Sequence, residues 1–213
     1  MIAIALSIAT FFLLLLIVEI LWRKKTLSAE LSRKIIHIIV GSIIAFWPFF
    51  IEWRVIQLLS IILFVGITLS YKLHLFKSIH SVKRSTKGEL LYPISIGICA
   101  LMQPAPWIFT AAILHLSFAD GLAAIVGSKT NGWTQYKIFG HKKSLVGSGV
   151  FFIVSLSIIC ASYAVLATDN IAGVSSVMLL LAAVGISVVE NISWYGLDNL
   201  TVPISVIIFL SVL

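Results

Sequence analysis

The sequence has little charge. Charged residues make up 11% of its 213 residues and hydrophobic residues 60%, whereas soluble globular domains contain about 25% charged and about 45–50% apolar residues. A soluble chain of this length could not cover its surface with so few charges, so the composition excludes a soluble globular domain. We therefore expect an integral membrane protein.

Cysteine is scarce as well, and several common signals are absent. Cys99 and Cys160 each lie inside an apolar run, which excludes a disulfide framework and a cysteine metal site. There is no lipidation motif and no GxxxxGK[ST] phosphate-binding loop. The first apolar run is followed, not preceded, by basic residues, which favours a retained first span over a cleaved signal. Because no repeat or polar linker divides the chain, we expect a single domain over residues 1–213.

Long apolar runs bounded by charged or turn residues are what the sequence does have. They predict an all-α fold, a polytopic membrane bundle of seven or eight transmembrane helices. The predicted segments are 2–22, 35–51, 54–71, 90–103, 107–127, 145–167, 171–190 and 200–213. The fourth and eighth segments are short and contain Pro93 and Pro203, so each is a tilted, broken or partly re-entrant crossing.

The basic residues are concentrated in three loops. Loops 23–34, 72–89 and 128–144 carry five, five and four of the 15 Lys and Arg residues. If every segment crosses the membrane, all three loops lie on one side. The positive-inside rule then predicts that these loops and the loop 191–199 are cytoplasmic, with both termini outside.

One carboxylate, Asp120, lies inside the predicted segment 107–127 and is followed by the small residues of GLAAIVG. Ionisable residues within membrane segments are candidates for functional sites. On the predicted topology Asp120 lies about two turns, roughly 10 Å, from the cytoplasmic end of its helix, whereas His115 lies deeper and is expected to be structural. The small residues either give a ligand access to the backbone or serve close helix packing, and Asp120 itself has the alternative of a buried hydrogen bond.

Two further polar clusters flank predicted segments. Arg33, His37 and Gly41 are spaced four residues apart on a helix that we expect to begin near Ser32, so they share a face. The alternative is a basic anchor at the membrane surface with a lone interfacial histidine. Glu89 lies where a basic loop re-enters the membrane, and its carboxylate requires a cation or a hydrogen-bond donor.

A glycine-punctuated basic stretch runs from Asn131 to Gly149 and opens a helix at about Ser144. Helix N-termini favour anions, and this stretch supplies phosphate-type donors and glycines that allow close backbone approach: Lys142, Lys143, Ser144, Ser148, Gly140, Gly147 and Gly149. The alternative is a loop that binds anionic lipids.

Taken together, these clusters place four carboxylates and several cations around one predicted membrane face. The carboxylates are Glu89, Asp120, Glu190 and Asp198, and the cations include Arg33, Lys142 and Lys143. Carboxylates that hold Mg²⁺ and cations that hold phosphates are the parts that phosphoryl transfer needs. An apolar bundle beside them suits a substrate with a lipid tail.

Five motifs occur in a fixed order: RKIIHIIVG, KGELLYP, ADGLAAIVGSKTNG, GHKKSLVGS and ENISWYGLDNLTVP. This ordered set resembles the membrane-embedded polyprenol kinase family, which includes phytol kinase, dolichol kinase and CTP-dependent diacylglycerol kinase and is related to the phosphatidate cytidylyltransferases. The resemblance covers about residues 30–205. The family pattern often has a glutamate where this chain has Val146, which weakens any role for a carboxylate there.

The resemblance implies that the chain transfers the terminal phosphate of CTP to a lipid alcohol of the phytol, farnesol or polyprenol type, with Mg²⁺. Asp120, with Asp198 or Glu89, would hold the metal. The implied phosphate-binding residues are Lys34, Lys142, Lys143, Ser144, Gly147, Ser148 and Asn199. The implied catalytic residues are Asp120, Lys143, Arg33 and His37, and the general base is either His37 or a carboxylate.

Two other functions stay open at this point. A cytidylyltransferase that forms a CDP-lipid would use the same metal-binding and phosphate-binding parts. A secondary transporter or scramblase is suggested by the two short segments with internal proline. Nothing in the sequence predicts nucleic-acid binding.

Overall fold

The computed structural model describes residues 2–25, 28–73, 88–130, 134–166 and 174–213. Parts of several predicted features lie outside these ranges: residues 26 and 27 of loop 23–34, most of the basic loop 72–89, the NGW at the start of the glycine-punctuated stretch, and the facing ends of segments 145–167 and 171–190. The described chain is mostly helical, which confirms the predicted helical membrane architecture in its coarse form.

Each predicted apolar segment corresponds to one helix of the described chain. The helices are α1 Ile2–Arg23, α2 Ala29–Ala45, α3 Trp53–Leu73, α4 Gly88–Met102, α5, α6 Leu145–Leu166, α7 Ser176–Ile192 and α8 Asp198–Ser211. Helix α5 is composite: Pro106–Leu114 is α-helical, His115–Ala119 forms a π-helical turn, and Asp120–Gly127 is α-helical again. A short 3₁₀ helix, Trp47–Phe49, follows α2.

Four helical segments of the described residues are long and apolar enough to cross a membrane: Leu31–Phe49, Trp53–Leu73, Pro106–Gly127 and Leu145–Val165. Helices α4, α7 and α8 are apolar but shorter. The protein is therefore a membrane protein with several spanning helices, while the predicted number of seven or eight crossings stays a prediction.

The loop 128–144, predicted as a basic loop, contains a β-hairpin that the prediction of helices alone did not include. Strand β1 (Gln135–Ile138) pairs antiparallel with β2 (His141–Ser144). The two residues between them, Phe139 and Gly140, have φ values of 48° and 81°, as in the type I′ turns that join hairpins. Such turns are normally signalled by Asn-Gly or Asp-Gly, so Phe-Gly gave no sequence signal for the hairpin.

Helix starts differ from the predictions in two details. Helix α2 begins at Ala29, because the Ser28 hydroxyl accepts a hydrogen bond from the backbone N–H of the first turn, whereas the predicted start was near Ser32. Helices α4 and α8 are continuous although Pro93 and Pro203 lie inside them. Neither short segment is broken at its proline.

Helix α5 forms the centre of the bundle. In its spanning window 67% of residues are buried, against 17% for α3, so α5 is enclosed by other helices and α3 faces outward. Phe109, Ile113 and Leu116 of α5 are almost completely inaccessible. Membrane helices gain little from the hydrophobic effect and associate through close packing, which explains why α5 is rich in alanine and glycine.

Candidate active site

The polar motifs predicted from the sequence meet at one end of the bundle. Three long-range contacts join them. Lys34 of α2 pairs with Asp120 of α5, and Lys143 of β2 pairs with Glu190 of α7. The third is between the starts of α8 and α4, where the Asn199 amide donates to the Gly88 carbonyl at 2.9 Å. We refer to this region as the polar end.

The π-helical turn of α5 lies directly before Asp120 and changes the hydrogen bonding there. The Asp120 N–H donates to the His115 carbonyl, five residues back, and not to the Leu116 carbonyl, four residues back, as in an α-helix. The Leu116 carbonyl instead accepts a hydrogen bond from His37 Nε2 at 2.8 Å. Turns of this kind occur frequently at functional sites.

Asp120 lies at the centre of a partly buried group of side chains. Lys34 Nζ donates to Asp120 Oδ2 at 2.7 Å, and His37 Nε2 lies 3.9 Å from the same oxygen. The Tyr92 ring packs against the His37 ring with 4.3 Å between centroids. Lys34 and His37 are three residues apart on α2 and therefore share the helix face that meets Asp120.

A second ion pair lies nearby. Lys143 Nζ donates to Glu190 Oε1 at 2.7 Å and also to the Glu190 backbone carbonyl. Within the described chain, the other carboxylate oxygen, Glu190 Oε2, is buried without a hydrogen-bond partner. An ammonium group has three donors, so phosphate binding by Lys143 requires it to share or exchange these contacts.

Asp198 begins α8, just outside the predicted membrane segment 200–213. Burial, and next the negative charge of Asp120, raise the pKa of Asp198. The nearby ammonium groups of Lys34 and Lys143 act in the opposite direction but do not outweigh these effects. The carboxylates of Asp120 and Asp198 are therefore close enough to repel each other, an arrangement that a bound cation would relieve.

The start of α6 holds the predicted KSLVGS residues. Ser144 Oγ accepts a hydrogen bond from the Gly147 N–H at 3.0 Å and so caps the helix. Ser148 bonds with the Tyr136 hydroxyl at 2.6 Å and donates to Asn191 at 2.9 Å. Lys142 is exposed on the opposite face of the hairpin. These serines thus already have protein partners that fix the hairpin to α6 and α7.

The small residues after Asp120 serve helix packing. A Cβ at Gly121 would collide with Ile38 of α2, and a Cβ at Gly127 would lie 3.2 Å from the Gly147 Cα of α6. At these two glycines the structure favours close packing, the alternative to ligand access that the sequence left open. Buried His115 bonds to the Ala111 carbonyl and to Ser155, which agrees with the structural role predicted for it.

Glu89 and Arg33 lie toward the α3 side. The Tyr71 hydroxyl of α3 donates to the Glu89 carboxylate, and the positive charge of Arg33 is close enough to act on Tyr71. Within the described ranges, no three His, Cys, Asp or Glu side chains are grouped so as to hold a metal ion by themselves. The roles of Glu89 and Arg33 stay predictions.

An apolar groove of about 330 Å³ runs along the contact between α3 and α4. Its lining includes Ile61, Phe64, Pro93, Ile94 and Leu101. Hydrogen bonds join α3 and α4 at both ends of this contact. The Tyr71 hydroxyl donates to Glu89 at one end, and Gln57 donates to the Ala100 carbonyl at 3.1 Å at the other. The groove therefore starts about one turn from the polar end and continues into the apolar bundle.

Three residues of this region had no functional prediction from the sequence: Tyr92, Tyr136 and Asn191. Tyr92 could be assigned only as an interfacial aromatic residue, yet it is buried against His37. Tyr136 and Asn191 form one hydrogen-bond network with Ser148. That network depends on the hairpin, so only prediction of the hairpin could have revealed it.

Two lysine–carboxylate pairs and a partly buried histidine are gathered at one end of a helical membrane bundle, an arrangement that fits a membrane-embedded enzyme. The chain is 32% identical over 197 residues to the phytol kinase of Synechocystis sp., in an alignment that covers 87% of this chain and 80% of that protein. It therefore belongs to the polyprenol and phytol kinase family, and it is a phosphotransferase. The family and the enzyme class predicted from the five motifs are confirmed. No family model matches the chain, and no solved structure matches it.

Proposed function

We propose that this enzyme transfers the terminal phosphate of a nucleotide, CTP by family resemblance, to the hydroxyl of an isoprenoid alcohol such as phytol. The observation that carries the proposal is the position of the Lys34–Asp120–His37 group beside the Lys143–Glu190 pair, at one end of an apolar bundle. The relative named phytol kinase supports an alcohol with an isoprenoid chain as acceptor.

Mg²⁺ is proposed to arrive with the nucleotide. Mg²⁺ in nucleotide sites is bound by one or two carboxylates together with phosphate oxygens and water, so a group of three protein ligands is not required. Asp120 and Asp198 repel each other, and Glu190 Oε2 has no hydrogen-bond partner in the described chain. These three carboxylates fit such an ion, which would neutralise charge on the phosphates, whereas Glu89 fits a role toward the alcohol better.

His37 is our candidate general base. A carbonyl can only accept, so the bond to Leu116 requires a proton on His37 Nε2. In the neutral ring Nδ1 then carries the lone pair that can accept the proton of the alcohol. The alcohol oxygen forms a bond to the terminal phosphorus, the bond from that phosphorus to the bridging oxygen breaks, and the nucleoside diphosphate leaves. Tyr92 and Leu116 keep the ring in position.

The groove between α3 and α4 is proposed to hold the isoprenoid tail. It opens along the outward-facing helix α3, so an alcohol dissolved in the bilayer can enter from the side. Its start near Pro93 places a hydroxyl at the polar end while the chain lies against Phe64, Ile61 and Leu101. Chain-length preference would then depend on how far the groove extends toward Gln57.

The polar end is proposed to face the cytoplasm, where nucleotides are available. The described ends of the basic loops 23–34, 72–89 and 128–144 adjoin this end, and positive residues favour the cytoplasmic side. If all eight segments cross the membrane, the same rule places both termini outside. The transporter alternative expects functional polar residues near the midplane and at both faces, and the crowding of the described polar groups at one end favours the enzyme.

One experiment tests the function directly. Purified protein in detergent is given Mg²⁺, a panel of nucleotides and a panel of lipid alcohols, and the products are identified by mass. Label from the γ-phosphate in the lipid is the expected result. Cytidine label in the lipid would show cytidylyltransferase activity in place of the proposed kinase activity. No labelled lipid from any nucleotide would refute both activities.

A further inference from the structure

Two tight turns at the polar end have the same unusual construction. In each, an aromatic residue and then a glycine occupy the two central positions with positive φ: Phe139 at 48° and Gly140 at 81°, and Tyr195 at 54° and Gly196 at 83°. The second turn is closed by a hydrogen bond of 2.9 Å from the Leu197 N–H to the Trp194 carbonyl. Both therefore resemble type I′ turns, whose first central position normally holds Asn, Asp or Gly.

An aromatic residue at this position is costly and exposed. A side chain with a Cβ loses roughly 1–2 kcal/mol in the left-handed region, and strain of this kind concentrates at functional sites. Burial does not explain the choice, since Phe139 is 68% and Tyr195 59% exposed. A Cβ added at Gly140 would meet nothing within 4 Å, so the hairpin turn is open on its outer side.

The two turns interlock through their rings. Phe139 lies 4.8 Å from Trp194 and His141 lies 4.5 Å from Tyr195, measured between ring centroids. We call these four side chains the aromatic cluster. Each turn thus holds the rings of the other in place and leaves their outer faces uncovered.

The aromatic cluster adjoins the groups proposed to bind the nucleotide phosphates. His141 and Lys143 are two residues apart on β2 and project from the same strand face, about 7 Å apart. Trp194 and Tyr195 lie in the short connection between Glu190 and Asp198. A ribose placed along β2 would therefore connect a base on the rings with phosphates at Lys143.

We propose that the aromatic cluster is a stacking site for the nucleotide base. The proposal rests on the nucleotide-dependent kinase function proposed above and assigns the ligand class: a planar heteroaromatic base that carries a polyphosphate. Stacking on aromatic side chains tolerates any base, so the site provides affinity for a nucleotide over free polyphosphate rather than a choice between bases. The competing explanation, an aromatic anchor in the lipid headgroups, becomes an outcome of the test.

Phe139→Asn is the decisive variant, because asparagine is favoured in this turn position and removes the ring without straining the hairpin. Its melting temperature should stay equal or rise. Its Kd for CTP should increase roughly 5- to 100-fold, the effect of losing one base–aromatic stack, while the Kd for inorganic tripolyphosphate stays unchanged. Tyr195→Asn should act in the same way and Tyr195→Phe should retain affinity. Phe50→Asn, at an aromatic residue that is 75% exposed outside the cluster, is the control.

Equal loss of affinity for CTP and tripolyphosphate, or an unchanged CTP affinity, would overturn the base site. A Phe139→Asn protein that binds CTP normally but associates more weakly with anionic vesicles would assign the cluster to the membrane. CTP binding is measured without turnover, so the binding assay tests the base site and the phosphorylation assay tests the kinase proposal independently. If the kinase proposal fails, no alcohol is phosphorylated, although CTP is still preferred over tripolyphosphate.

Discussion

Replacement of Asp120 by asparagine separates a catalytic role from a structural one. Asn keeps the size of the side chain but removes the charge that pairs with Lys34, and the two side chains are only 16% and 9% exposed. Loss of one partner from a buried pair costs about 3–5 kcal/mol, on the order of 10 °C in melting temperature for a chain of this size. The pair between Glu19 and Arg23 is the control: the Glu19 side chain is also buried, at 9% exposed, but Arg23 is 67% exposed. Glu19→Gln should therefore cost less than Asp120→Asn, because the cation left behind is in contact with water.

The double variant Lys34→Met/Asp120→Asn completes the test. It removes both buried charges, so most of the lost stability should return, whereas phosphoryl transfer should stay at least 100-fold below wild type. Melting is followed in detergent, and activity is measured with CTP and phytol at a temperature where every variant is folded. If the double variant recovers activity together with stability, Asp120 is only a packing partner of Lys34 and its proposed role in binding the metal is wrong.

Three further changes test other parts of the structure. Lys143→Ala should raise the KM for the nucleotide about 10- to 100-fold, the loss of one charged hydrogen bond, and leave the KM for the alcohol unchanged; an unaltered nucleotide KM would indicate lipid binding instead. Gly147→Ala should lower the melting temperature, because its Cβ would lie 3.1 Å from a carbonyl oxygen of α5. The control Gly149→Ala meets nothing within 4 Å and should be neutral or stabilising. Equal effects of the two variants on the melting temperature would contradict the packing argument. Ile61→Trp should raise the KM for C20 alcohols but not for short alcohols. The control Ile62→Trp lies outside the groove at a residue of similar exposure and should leave both KM values unchanged. Identical behaviour of the two variants would exclude the groove as the site of the isoprenoid tail.

The sequence predicted the helices because their signal is local. Apolar runs bounded by charged residues marked every described α-helix, with ends that differ from the predicted segments by two residues or fewer except at α2 and α7, where the difference reaches six and five residues. The positions of Lys and Arg indicated which helix ends share a side. Asp120 was selected because ionisable residues are rare and costly inside a membrane segment. Lys143 was selected because it lies in a glycine-punctuated basic stretch at a helix N-terminus, and Asp198 because of the family resemblance. In the structure, the helix ends and the hairpin strand on which these residues lie meet at the polar end.

Features that depend on pairing could not be read from local patterns. The hairpin carries Phe-Gly where a turn signal would have Asn-Gly, so its strands looked like a basic loop. The partner of Lys143 is Glu190, 47 residues away, and the partner of Lys34 is Asp120, 86 residues away. Helix spacing suggested that Arg33 shares a face with His37, but it could not show that Lys34 is the residue that reaches Asp120.

The π-helical turn in α5 allows this part of the chain to change in length by one residue without moving the polar end. A turn closed over five residues instead of four accommodates one extra residue, and one residue corresponds to about 100° of rotation about the helix axis. Everything after Ala119 is therefore rotated relative to a regular continuation of Pro106–Leu114. Deleting a single residue between His115 and Ala119 would remove that extra residue: the turn would close over four residues as in a regular α-helix, and Asp120 would still face Lys34. When homologous sequences are aligned, a gap of one residue between His115 and Ala119 is therefore compatible with the same polar end, and such a gap alone does not separate the chains that can build it from the chains that cannot.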